Sequence, residues 1–244
     1  MRTYKLTIAY DGTRYRGWQR QNHTDATIQT ILERTLCGMT GYPVEANGSG
    51  RTDGGVHAGG QTASIILSGM VEIPLFQKEL NEKLPEDIKV VGMELMKNGF
   101  HARLQASGKR YVYTVDTRMK PSVFLRRYAY HYPKHLDIEA MEAAAQILVG
   151  KHDFAGFTDK KYQKTTVRTI HSIELEAQGS FLRIVYEGTG FLYHMVRILT
   201  GTLLEVGSGE RSLHSVESLL ENKLRTEAGF LAPGKGLCLE KVYY

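Results

Sequence analysis

Apolar positions change their period along the chain, and each change marks an element. The run Tyr4 to Tyr10, YKLTIAY, alternates apolar and polar residues as a half-buried strand does, and Asp11-Gly12 ends it. The period then lengthens: Ile28, Ile31, Leu32, Leu36 and Met39 fall on one face of a helix, with Gly41 placed to end it. Strand-like runs at Val44–Asn47 and Thr62–Leu67 follow, then a short helix near Leu75–Lys83 and a strand over Ile88–Met96. A second set begins after the loop Gln105–Gly108. It comprises a strand over Tyr111–Asp116, a helix over Ile138–Val149, and two alternating runs, Val167–Ala177 and Phe181–Glu187. Gln178-Gly179-Ser180 joins those runs as a hairpin. Helices over Phe191–Val206 and Leu213–Leu220 precede a last strand at Leu237–Tyr243. The order predicts an α+β fold of mixed, mainly antiparallel strands in two halves, residues 1–105 and 106–244.

Composition narrows the class. With 244 residues, 42% hydrophobic and 23% charged, the chain is long enough for a sizeable core, and disorder, collagen-like repeats and coiled coil are excluded as its main organisation. No apolar run approaches the roughly 20 residues that cross a bilayer. The N-terminus, MRTYKLTIAYDG, has no continuous apolar signal core. Cys37 and Cys238 lie far apart without metal-ligand spacing and read as free thiols. A cytoplasmic protein with no membrane partner is the expectation.

Charge matters through its distribution. The net charge is only +5, yet residues 101–135 carry eight Lys/Arg against one acid, and residues 1–20 carry five against one. Both segments interleave cations with rings, as RYRGWQRQ (Arg14 to Gln21) and KRYVYTV (Lys109 to Val115). Cations for phosphate and flat rings for base faces suit RNA, which makes Arg14, Arg16, Lys109 and Arg110 candidate contacts. Basic residues and tyrosines decorating exposed strand faces would give the same pattern.

The most unusual segment is NGSGRTDGGVHAGG, Asn47 to Gly60. Asp53-Gly54 is a strong hairpin signal, but six glycines exceed what a hairpin needs and suggest close backbone approach. Arg51 and Asp53 flank Thr52, so their charges can pair or share one partner. No Gly-Lys-Ser/Thr follows, which excludes a phosphate-binding P-loop. His131 and His135 are four apart, but Pro133 opposes a helix that would align them, and no metal is expected. No Gly-x-Ser-x-Gly elbow is present. In GFLYHMVRILTG, Phe191, Met195, Ile198 and Leu199 face a core, while Gly190, His194, Arg197 and Gly201 share a stripe of the same helix. An arginine among small residues suits a buried anion; an arginine reaching water is the plainer alternative.

The blocks YDGTRYRGWQRQ, TIQTILERTL and GSGRTDGGVHAGGQ, then FHAR, KRYVY, HDFAGF, GFLYHMVR and APGKGLCL, resemble in order the signatures of the TruA family of tRNA pseudouridine synthases. The resemblance spans nearly the whole chain. It implies two RRM-like, ferredoxin-like halves forming a continuous sheet, a homodimer, and no cofactor or metal. The implied activity is isomerisation of uridine to pseudouridine at positions 38, 39 and 40 of the tRNA anticodon stem-loop. By motif position, Asp53 would be the catalytic carboxylate and Arg197 its cationic partner. Tyr111 would stack on the target base, Arg51 would contact RNA or aid flipping, and Leu237 would line the pocket. The chemistry breaks N1–C1′ and forms C5–C1′ without a redox step, so one carboxylate acting at C1′, C6 or C2′ suffices. The segment AGFLAPGKG departs from the family pattern, with Leu231 and Gly234 where Thr and Ala are expected. A non-catalytic RNA-binding protein on the same scaffold, or a paralogue with a narrower set of uridines, are the alternatives.

Overall fold

Alternation becomes burial in the first strand, β1 (Arg2–Tyr10): Tyr4, Leu6, Ile8 and Tyr10 are buried, and Lys5, Thr7 and Ala9 between them are half-buried. The computed structural model describes residues 1–160 and 165–244, which hold ten strands and five α-helices. The chain divides into two compact units, Met1–Ser107 with Cys238–Tyr244, and Gly108–Leu237. The C-terminal strand thus counts with the first unit.

In the first unit β1 pairs antiparallel with β3 (His57–Leu67) on one side and with β4 (Ile88–Met96) on the other. Two helices accompany these strands. Thr27 caps α1 (Ile28–Thr40) by accepting from Thr30 N–H, and Gly41, at φ 77°, ends it. The second is α2 (Ile73–Lys83), which packs on β4. The strand expected at Val44–Asn47 shrinks to β2 (Asn47–Gly48), paired with β3. The reason is local: Ala46 N–H is taken by the Glu33 carboxylate at 3.0 Å instead of a neighbouring strand. Conversely, β3 starts five residues earlier than Thr62. Its first residues pair in parallel with β10 (Leu237–Tyr243), Cys238 opposite His57 and Leu239 opposite Ala58, a long-range partner that local pattern does not reveal.

The second unit orders its main strands as β5 (Gly108–Asp116), β9 (Phe181–Gly188), β8 (Val167–Gln178) and β7 (Gly150–Asp153), all antiparallel. A short β6 (Tyr130–His131) runs parallel to β5. The predicted hairpin forms, with Gly179 at φ 59° in its turn. Three helices belong here: α3 (Ile138–Leu148), α4 (Met195–Gly207) and α5 (Leu213–Asn222), with α3 against β8, α4 and α5.

One expectation fails in this unit. The helix predicted from Phe191 begins only at Met195, because His194 adopts left-handed backbone at φ 64° and Met195 N–H closes a turn onto Leu192 O. Gly190 and His194 therefore lie outside the helix and share no helical stripe with Arg197. Gly201 does lie on α4, but its missing side chain admits the Phe230 carbonyl, since a Cβ there would sit 1.9 Å from that oxygen. Met195, Ile198 and Leu199 are fully buried, as the apolar face predicts.

Candidate active site

In the first unit the Asp53 segment is a turn held from outside. Val56 N–H bonds to Asp53 O at 3.2 Å, and Gly55, third residue of that turn, has the φ of 76° that a type II turn demands. The sequence alternative of a hairpin closed on Asp53-Gly54 is thereby replaced by a wider loop between β2 and β3. Residues 11–18 grip it. Trp18 N–H donates to Thr52 O at 3.1 Å, and Gly55 N–H to Tyr15 O at 3.2 Å. Contact is so close that a Cβ on Gly12 would lie 2.0 Å from Val56 O, and one on Gly17 2.5 Å from Thr52 O. Close approach was expected of the glycine-rich segment; here the glycines of the opposing loop also permit it.

Beneath the turn, the Tyr10 hydroxyl and Thr52 Oγ1 share a hydrogen bond of 2.7 Å. Burial pushes the Tyr10 phenol far above its ordinary range, so it stays a neutral donor or acceptor. Fully buried Gln61 accepts from Ser49 Oγ at 2.8 Å and donates to Gly50 O at 3.1 Å, fixing the approach to Arg51. Thr52 points inward and is buried, Asp53 is half-buried, and Arg51 is exposed with its Nε on Gln19 Oε1 at 3.0 Å. A carboxylate carried on a backbone fixed at Thr52, Asp53 and Gly55 can act as a base or nucleophile at constant position.

In the second unit Tyr111 is buried on β5, with Phe191 standing edge-on to its ring at 5.4 Å and 89°. Such a pair contributes about 0.5–1.5 kcal/mol and orients the ring. Arg197, near the start of α4, donates from Nε to Ala232 O at 2.7 Å, and Ala232 N–H returns to Arg197 O at 3.2 Å. The next carbonyl, Pro233 O, accepts from the Tyr113 hydroxyl at 2.8 Å. Arg197 and Tyr113 thus pin the AGFLAPGKG segment, after which buried Leu237 opens β10. Burial raises the Tyr113 phenol well out of its ordinary range. His194 Nδ1 lies 2.5 Å from Asp159, whose other oxygen accepts from Arg225 Nε at 2.6 Å. Burial works to raise Asp159, but the hydrogen bonds from His194 and Arg225 and the Arg225 charge outweigh it and hold the acid below its usual range.

The candidate RNA contacts divide between the units. Arg14 and Arg16 stand on the exposed side of residues 11–18, and Arg14 makes a two-nitrogen pair with Asp87 at 3.0 and 2.5 Å. Lys109 and Arg110 are half-buried on β5, and Arg110 pairs with Glu187 at 2.9 Å. Among the described residues no cluster of three His, Cys, Asp or Glu side chains is arranged to hold a metal. His131 instead bonds Arg118 O at 2.7 Å. No helix among them is long and apolar enough to cross a membrane.

Pattern reading missed several partners: Gln19, Gln29, Glu33, Tyr113 and Phe191. For two of these a signal existed. Gln29 and Glu33 are four apart on α1, beside the apolar Ile28, Leu32 and Leu36, and both are buried. Polar residues bordering an apolar stripe ask for internal partners.

Against known proteins, the family model described as tRNA pseudouridine synthase matches residues 6–103 and 144–244. Full-length similarity extends to "tRNA pseudouridine synthase A" of a Bacillus species, 44% identical, and of Clostridium botulinum, 41% identical, with all of both chains covered in each case. A protein named "tRNA pseudouridine synthase A 2" from Clostridium perfringens is 42% identical, again over all of both chains.

Proposed function

The chain belongs to the tRNA pseudouridine synthase family, isomerases of tRNA uridine, and from that premise we propose that it acts at positions 38, 39 and 40 of the anticodon stem-loop with Asp53 as the catalytic carboxylate. The observation that carries the reading is Asp53 itself, an acid in a glycine-rich turn whose backbone is fixed by residues 15, 18 and 56. A carboxylate on an RNA-binding loop weakens phosphate binding, so its use is chemical.

The reaction breaks N1–C1′, turns the uracil, and joins C5 to C1′; the proton lost from C5 balances the one gained at N1. Asp53 acts ionised, and its competent targets are C1′, C6 and the C2′ proton. Arg197 supplies the cation that offsets desolvation of the carboxylate. Extruding the base costs a few kcal/mol, of which stacking on Tyr111 returns about 1–3 kcal/mol. Arg51 contacts the displaced nucleotide, and Leu237 contributes apolar wall. Arg14, Arg16, Lys109 and Arg110 serve the stem-loop backbone, with Arg14 and Arg110 exchanging their acidic partners for phosphate. The enzyme works in the cytoplasm as a homodimer, on tRNA alone, with no cofactor.

A second reading has one observation behind it. Leu231 and Gly234, which depart from the family pattern in the segment leading to Leu237, suit a paralogue with a narrower set of uridines. Transcripts carrying a single uridine at position 38, 39 or 40, mapped for pseudouridine after reaction, separate the two. Product at all three supports the standard range; product at one or two establishes the narrower enzyme, and product at none contradicts the anticodon-stem assignment.

A further inference from the structure

A directed chain of hydrogen bonds leads from the buried face of α1 to Arg51, and nothing in the reaction as described uses it. Glu33, 9% exposed, is acceptor-only: its Oε1 takes Gln29 Nε2 at 2.9 Å and Ala46 N–H at 3.0 Å, and its Oε2 takes Arg20 Nη1 at 2.9 Å. Gln29, 5% exposed, has its amide orientation fixed by backbone groups that have only one role each. Arg20 N–H donates to its oxygen at 2.9 Å, and Ala46 O accepts from its nitrogen at 3.2 Å. That same oxygen takes the Gln19 amide nitrogen at 2.6 Å. Gln19 is therefore obliged to present its own oxygen to Arg51 Nε, which it does at 3.0 Å. The guanidinium is planar, so engaging Nε fixes the plane in which its two terminal nitrogens lie.

We propose that Gln29 and Glu33, acting through Gln19, are positioning residues that aim Arg51 at the nucleotide being isomerised. The inference rests on the role given to Arg51 above. A buried carboxylate and carboxamide on the inner face of a helix are expensive to desolvate, and simple packing would be met by apolar side chains. Their placement gives Arg51 one orientation where an exposed arginine otherwise samples many.

The test is a double-mutant cycle in kcat/KM on unmodified tRNA. Gln29→Met and Glu33→Met are each measured with Arg51 present and in an Arg51→Met background. Positioning predicts a loss of roughly ten- to a hundred-fold with Arg51 present, the scale of one hydrogen bond to a charged group, and less than about two-fold in its absence. Glu33→Gln retains an oxygen for Gln29 and Ala46 and recovers most of what Glu33→Met loses. Equal losses in both backgrounds overturn the inference and leave these residues a packing role in α1. Full turnover by Arg51→Met overturns the role of Arg51 itself, a different failure. Should Glu33→Met or Gln29→Met not fold, Gln19→Leu, at the half-buried end of the chain, carries the same cycle and the same criteria.

Discussion

Replacing Gly17 by alanine asks whether the grip of residues 11–18 on the Asp53 turn matters. Gly17 sits at φ 98°, its carbonyl receives Ile28 N–H at 3.2 Å, and an added Cβ would stand 2.5 Å from Thr52 O and 3.1 Å from the Asp53 carbonyl carbon. Left-handed backbone with an L side chain costs about 1–3 kcal/mol. A methyl forced against a rigid carbonyl adds about 1–3 kcal/mol. Near the middle of that range, about 4 kcal/mol lowers the melting temperature of a chain this size by roughly 8–16 °C. Relief comes by moving Asp53, and a shift near 1 Å at a reacting group costs on the order of a hundred-fold in turnover. Gly38→Ala is the matched control. It lies inside α1 with open space around its Cβ position, so the same change stabilises by about 0.5–1 kcal/mol. Thermal melts and C5-tritium release report both quantities. A Gly17→Ala protein with unchanged melting temperature and turnover refutes the claim that this contact fixes the acid.

Other outcomes follow from single contacts. Tyr10→Phe strands the buried Thr52 hydroxyl and lowers stability by about 1–3 kcal/mol in urea unfolding; no change would mean the 2.7 Å bond contributes nothing. The Arg118 guanidinium, outweighing burial, holds the Asp116 carboxyl near about 2, below its ordinary 3.8. The folded-state value being the lower one, this stabilisation is complete above about pH 4 and disappears as pH falls towards 2. Asp116→Asn therefore flattens the acid limb of a melting-temperature profile, and an unaltered limb contradicts the pairing. If the Tyr111 hydroxyl receives the C5 proton, Tyr111→Phe abolishes tritium release, and retained release removes that role while leaving stacking intact.

Much of this fold is legible where pattern and burial coincide. Tyr4 to Tyr10 alternates because one face is buried, and Ile28, Leu32 and Leu36 repeat because α1 turns that face inward. The hairpin at Gly179 needs only local chemistry. Non-local pairing is harder to read. Residues 57–61 look like loop until β10 returns beside them, and Ala46 looks like strand until Glu33 takes its N–H. His194 in left-handed backbone cannot be told from a helical histidine by period alone. At the site, Arg51 and Asp53 stand out through residue type and motif order. Gln19, Gln29 and Glu33 do not, because hydrogen-bond direction exists only once the backbone of residues 20 and 46 is in place.

Tritium release from unmodified tRNA labelled at uracil C5 measures the central claim, with wild-type protein and Asp53→Asn compared at matched tRNA binding. Asp53 as the catalytic carboxylate predicts release by the wild type and none above background by the variant, with tRNA affinity preserved. Release by Asp53→Asn at the wild-type rate would place the chemistry on another residue.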